Sequence, residues 1–265
     1  GVVQSKLNKA SVSDTTGFVE SLSTVDTRIL EKAKDGGKRI RLEEAMSHLE
    51  AMEQEVSSKI FYGNDATAPE EFLGLTPRFN DPDAPNGKQI VNGGGVGSDN
   101  TSIWFIGWGP SQCQLLYSEG TQAGFQRMDK GEQRTTDENG DVYYVKEEMF
   151  RWNVGLAVKD WRYVSRICNL DVSDVQDGAV DLYALMRKAY YKLWKRRIPE
   201  GQCAIYLNRD MIEALDALAT NGGTSDNFVR LGRKEVEGEE ILTYRGIPLR
   251  ESDALINSEE LVTGF

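Results

Sequence analysis

Histidine and cysteine are scarce in this 265-residue chain: His48 stands alone, and Cys113, Cys168 and Cys203 are far apart and odd in number. A zinc site takes about four such ligands close together, so neither the count nor the spacing supports one. The thiols read instead as buried groups in a reducing compartment. Nucleophile motifs are missing too: there is no G-x-S-x-G and no H-E-x-x-H. The lone imidazole falls on a helix flank without a serine or cysteine motif beside it, so no nucleophile–base pair is legible. Glu147-Glu148 and Glu239-Glu240 are adjacent carboxylates. Neighbours on a strand point apart, and no glycosidase pair follows from them. No apolar run approaches the ~20 residues that span a bilayer. No signal peptide opens the chain, although a natural beginning is expected upstream of Gly1.

Basic residues are outnumbered, 31 against 42 acidic, which leaves a net charge of −11. Gripping phosphates rests on clustered lysine and arginine, so nucleic-acid binding is disfavoured as the main task. A container that must not adhere to DNA remains compatible. What is present is ordinary globular material, 39% hydrophobic and 28% charged, long enough to bury a core without staples.

Residues 1–41 are polar with few large apolar anchors, and Thr16-Gly17-Phe18-Val19-Glu20 is a candidate strand. A helix is expected from Leu42 to Ile60. Leu42, Ala45, Met46, Leu49, Met52, Val56 and Ile60 form its apolar stripe, and Gly63 is suited to a left-handed cap. Residues 64–100 carry Pro, Gly, Asn and Asp in loop patterns. Asp81-x-Asp83 with Gly87 fails as a calcium loop because Pro85 and Asn92 occupy ligand positions. Gly93–Gly97 fails as a phosphate cradle because no Lys-Ser/Thr follows.

Strands are expected at Ile103–Trp108 and at Val142–Val145, the latter after an Asn139-Gly140 turn. A further strand carries Phe150, Trp152, Val154, Leu156 and Val158 on one face, and Trp161–Leu170 continues it after a bend. A second helix is expected from about Ala179 to Arg197. Its basic end, interleaved with Tyr190, Tyr191 and Trp194, suits the negative pole of a helix dipole better than nucleic acid. The last section reads as strand Cys203–Leu207, a helix capped by Asn208 or Asp210 and stopped at Asn221-Gly222-Gly223, a turn at Glu237-Gly238, and an edge strand Arg245–Arg250 containing Pro248. The class is α+β.

Several segments resemble, in order, the major capsid proteins of short-tailed, epsilon-fifteen-like bacteriophages. They are Phe61-Tyr62-Gly63-Asn64 with Ala68-Pro69-Glu70-Glu71-Phe72, and Gly97-Ser98-Asp99-Asn100 running into Ser102-Ile103-Trp104 and Trp108-Gly109-Pro110. The stretch Trp152–Asp171 and Arg245-Gly246-Ile247-Pro248-Leu249-Arg250 complete the set. The resemblance implies the Hong Kong 97-like capsid fold. In it, residues 1–30 are the remaining part of the E-loop, 31–201 mainly a peripheral domain with Leu42–Ile60 as spine helix, and 202–265 mainly an axial domain.

The resemblance also implies the function of a major capsid protein, a structural chain and not an enzyme. It self-assembles into an icosahedral shell around a double-stranded DNA genome, in the virion after assembly in the host bacterial cytoplasm. Its partners are then itself, in hexamers and pentamers, with scaffolding, cementing and portal proteins as further candidates; DNA is enclosed without sequence-specific binding, and no membrane or cofactor is implied. Lys6, Lys9, Phe18, Arg187, Lys195 and Arg250 are the candidate inter-subunit contacts. Lys6 and Lys9 lie near the region of the fold's lysine–asparagine cross-link, but no partner or catalytic acid can be assigned to them. Two other readings stand beside this one: an encapsulin-like nanocompartment shell, and an aromatic-lined carbohydrate-binding domain using its tryptophans.

Overall fold

The computed structural model describes residues 14–198, 200–220, 231–236 and 239–265. The elements run β1 (Thr16–Asp26), α1 (Thr27–Lys32), α2 (Lys38–Tyr62), α3 (Leu75–Arg78), β2 (Ile90–Asn92), β3 (Asn100–Trp108), β4 (Cys113–Leu116), β5 (Phe125–Thr136) and β6 (Val142–Val158). They continue with β7 (Val164–Asp171), α4 (Val172–Gln176), α5 (Leu182–Lys192), β8 (Gln202–Leu207), α6 (Arg209–Thr220), β9 (Gly232–Val236), β10 (Glu239–Tyr244) and β11 (Ile247–Glu251). The strands form one mixed sheet in the order β1-β6-β4-β3-β8-β11-β10-β9, with β5 beside β6 and β7 between β2 and β3.

The continuous apolar run of β3 has a simple cause: the strand is covered on both faces. Ile103 and Phe105 point into one cluster, with α5, α6 and β8. Trp104 and Ile106 point into the other, with Met52 and Val56 of α2 and Phe150 and Leu156 of β6. Strict alternation on β6 likewise places Phe150, Val154 and Leu156 in that second core. The two clusters do not divide at residue 201. Leu182–Leu193 pack with β8, β10 and β11, while Leu255 and Val262 pack with α2 and β6.

Several expectations change. The spine helix is longer, Lys38–Tyr62, and its stripe is only half used: Met52 and Val56 are buried, whereas Leu42 is 58% and Met46 62% exposed. Gly63 is not a left-handed cap, having φ −51° and ψ 139°. Glycine is needed there because a Cβ would sit 2.5 Å from the Phe72 carbonyl oxygen and 2.6 Å from that of Lys59. The second helix starts at Leu182, where Asp181 accepts from the Ala184 N–H, and ends at Lys192 because Leu193 is extended.

Pro248 is not on an edge, since β11 lies between β8 and β10. The two-residue turn Arg245-Gly246, φ 51° and 81°, makes Tyr244↔Ile247 the first pair of the hairpin. In such a hairpin the first pair exchanges both hydrogen bonds, so the next residue, Pro248, turns its nitrogen away from β10. The ladder to β8 begins only at Leu249, so no bond is lost.

The Asp137–Asp141 turn, the Asn208 cap on the Met211 N–H at 3.1 Å and the packed His48 stand as expected. The stop at Asn221-Gly222-Gly223 and the turn at Glu237-Gly238 lie outside the described residues.

Because Leu156 is fully buried between α2 and the sheet, Leu156→Ala should lower unfolding stability by about 2–5 kcal/mol through lost burial and a residual cavity. Urea denaturation of the unassembled chain measures it.

Candidate functional site

The least exposed charges of the described chain form one network. Arg166 on β7 is 1% exposed. Its Nε donates to Ser102 Oγ at 3.0 Å, Nη1 to the Phe79 carbonyl at 2.8 Å and Nη2 to Glu259 Oε2 at 2.8 Å. Its cationic face lies 5.1 Å from the centre of the Trp104 ring. Glu259 also accepts from the Tyr62 hydroxyl at 2.6 Å and from Ser102, and its backbone N–H donates to the Asn100 carbonyl at 2.9 Å. Burial, and then the Glu259 carboxylate, push the Tyr62 phenol well above its usual range, so it stays a donor. Two bonds between Asn169 and the Val262 backbone, at 2.8 and 2.9 Å, fasten the tail beyond it.

A second acidic anchor is Glu148. It shares its β6 face with Phe150 and is 3% exposed. Arg127 on β5 grips it through two bonds of 2.8 Å, and Arg41 on α2 also pairs with it. Arg41 reaches Asp129 on β5 at 2.9 Å as well. Spine helix and hairpin are therefore locked together by charge. Its place on the apolar face of β6 was the available signal in the sequence.

Among the described residues, no element covers the opposite face of this part of the sheet. Register places Phe18 and Leu22 on the same side as Asn153 and Met149, and Met149 beside Met128 of β5. Phe18 and Leu22 are 49% and 50% exposed, and Glu20 pairs with Arg151 between them. The near face, by contrast, carries Val19, Phe150 and Trp152 against α2.

The other candidate contacts are spread out. Arg187 lies on α5 and lines a groove of about 920 Å³ with Asp181, Tyr183, Tyr244 and Arg245. Lys195 is exposed in the segment after α5, and Arg250 is exposed on β11. Lys6 and Lys9 lie outside the described residues. The basic end after α5 does serve the helix dipole: Arg196 folds back to the carbonyls of Tyr190 and Tyr191 at 3.2 and 3.4 Å. Its guanidinium lies 5.1 Å from each of those tyrosine rings.

Among the described residues, no three His, Cys, Asp or Glu side chains converge to hold a metal, and no helix is long and apolar enough to cross a membrane. All three cysteines are buried and free. Burial pushes the thiols of Cys113 and Cys203 up to about 12, and that of Cys168 to about 11.

These features define a two-core α+β chain with a long spine helix and one uncovered sheet face. The family of the major capsid protein GP7 matches residues 1–263. A chain from the validated near-atomic resolution structure of bacteriophage Epsilon15 matches with a TM-score of 0.72 and 29% identity, covering 100% of this chain and 79% of its own. A chain of the holo-SrpI encapsulin complex from Synechococcus elongatus PCC 7942 matches with a TM-score of 0.43 and 13% identity, over 58% of this chain and 74% of its own. No curated protein matches the chain.

The fold is of the Hong Kong 97-like capsid class. The chain belongs to the major capsid protein GP7 family, and it is a phage coat protein that forms the shell. Of the three functions weighed from the sequence, the family match selects this one.

Two outcomes test this chemistry. Glu259→Ala strands the Arg166 charge in the interior, and such a change should cost about 3–5 kcal/mol. Replacing both partners with apolar residues should recover much of that loss, as a double-mutant cycle in urea would show. The buried thiols stay protonated in the folded chain while those of the unfolded chain ionise near 9.0. Stability should therefore fall as pH rises from about 9 towards 12, with an aromatic disulfide reagent at pH 8 labelling the thiols only after denaturant is added.

Proposed function

We propose that copies of this chain meet through the uncovered face of β1, β5 and β6, together with the exposed first half of the spine helix. The single observation that carries this reading is the apolar strip Phe18, Leu22, Met128 and Met149, which lies on the side of the sheet that α2 does not cover. Leu42 and Met46 add apolar surface on α2. A specific interface takes roughly 800 Å² from each partner, and a strip of this kind supplies its centre while pairs such as Glu20–Arg151 supply its rim.

Many repeated contacts of this size sum to a stable closed shell of hexamers and pentamers, and the role is assembly rather than catalysis. In this reading β1 is the part of residues 1–30 that belongs to the E-loop. The peripheral unit is built on α2 and β6, and the axial unit on α5, α6 and β8–β11. The two units are spatial, because the tail after β11 returns to the first. The shell encloses double-stranded DNA that an acidic wall does not hold, and it assembles in the host bacterial cytoplasm. Scaffolding, cementing and portal proteins are its further partners, and Lys6, Lys9, Arg187 and Lys195 are secondary contacts.

Phe18→Asp with Leu22→Asp should leave the subunit folded, because neither side chain belongs to a core. Shell formation, followed by sedimentation and electron microscopy, should then require a concentration at least about tenfold higher. Shells that form as readily as those of the unchanged chain would overturn the interface.

A further inference from the structure

Several exposed arginines have carboxylate partners: Arg28 has Asp26, Arg39 has Glu43, Arg151 has Glu20 and Arg209 has Glu251. Three others, Arg196, Arg197 and Arg250, share a groove of about 390 Å³ between the segment after α5 and β11, lined also by Gln202 and Pro248. Arg196 donates to helix carbonyls and faces tyrosine rings. The side chains of Arg197 and Arg250 make no hydrogen bond or ion pair among the described residues. In a chain of net charge −11, a groove with unpaired arginines is a place prepared for a carboxylate or another anion.

The chain offers a matching object at its other end. The β5–β6 turn is Asp137-Glu138-Asn139-Gly140-Asp141, with three carboxylates and no base. It is held in shape before any contact: the Asp137 N–H donates to the Asp141 carbonyl at 3.0 Å and the Gly140 N–H to the Asp137 carbonyl at 3.1 Å. The Asp137 carboxylate accepts from the Asn139 and Asp141 N–H groups at 2.9 Å. Glu138 and Asp141 are left exposed, without a side-chain partner among the described residues. The tip also projects, because β1 pairs with β6 only as far as Val145. Val142 and Tyr144 beyond it are 46% and 51% exposed.

One copy cannot fill its own groove. The groove lies level with the far end of β6, across β4 and β3 in the sheet: Gln202 pairs with Trp108, Trp108 with Cys113, and Cys113 with Val158. β6 is 17 residues long, which at about 3.3 Å each sets the tip on the order of 50 Å away.

We propose that the acidic β5–β6 tip of one copy docks into the Arg197–Arg250 groove of a second copy. The contact is heterologous, head to tail, so repetition closes it into rings or a lattice instead of stopping at a pair. The preformed turn keeps the ordering cost of docking low. A groove this small and walled by Ile198 and Pro248 fits a turn better than a DNA duplex. The inference rests on the coat reading above and adds to it a second, electrostatic contact.

Charge exchange in the full chain tests it. Arg197→Glu with Arg250→Glu, and separately Glu138→Lys with Asp141→Lys, should each lower shell yield at low salt by about tenfold or more. All four changes together should bring the yield back to within about threefold of the unchanged chain. A variant that does not fold is replaced by Glu138→Cys with Arg250→Cys, which should give disulfide-linked ladders from oxidised shells on non-reducing gels.

Shells formed equally well by both charge-reversed variants, no recovery in the combined variant, or no ladder would each overturn the docking and leave the coat reading standing. Intact shells that lose only their DNA in the groove variant would assign the groove to the genome and overturn it equally. If the unchanged chain forms no shells, the coat reading falls, and this contact with it.

Discussion

A single buried ion pair organises much of this subunit. Arg166 and Glu259 are 93 residues apart in sequence and almost without solvent. Taking two charges out of water is expensive, and the cost is offset only when the remaining donors and acceptors are also satisfied. Here they are satisfied by the end of the spine helix through Tyr62, by the loop after α3 through Phe79, and by the central strand through Ser102. The requirement to complete one polar cluster therefore fixes where the spine helix ends, where a long loop crosses and where the tail returns.

Around that point the sheet separates two cores and sends its ends in opposite directions. β3 and β7 are covered on both faces, while among the described residues the β1–β6–β5 end is covered on one face alone. Glu148, held by Arg41 and Arg127, braces that end from the covered side. An assembling subunit needs this combination: surfaces left apolar or charged for neighbours, on a frame stiff enough to present them without a large ordering cost.

Much of the frame was legible in the residues. The three- and four-step stripe marked α2, the apolar run of Ile103–Trp108 marked β3, and the alternation from Phe150 to Val158 marked β6. Asn-Gly marked the hairpin turn and Asn208 the helix cap. The family motifs, spread through the chain in order, carried the coat assignment that composition alone could not. Less was legible where structure depends on distant partners. β5 has the polar sequence Phe125–Thr136 and becomes a strand because β6 pairs with it along its length. The tail around Glu259 has no periodicity and is ordered by Arg166 and Asn169. The helix expected to run to Arg197 stops at Lys192, although the residues beyond it are good helix formers.

By itself, then, the sequence determined the local elements, the α+β class and the family, because periodicity, caps and turn residues act over a few neighbours. Tertiary structure decided which half of the spine stripe is buried, that β11 lies inside the sheet, and that the acidic tip and the arginine groove stand at opposite ends of the sheet's long axis along β6. Those outcomes rest on pairings between residues tens of positions apart, and short-range preference carries no information about them.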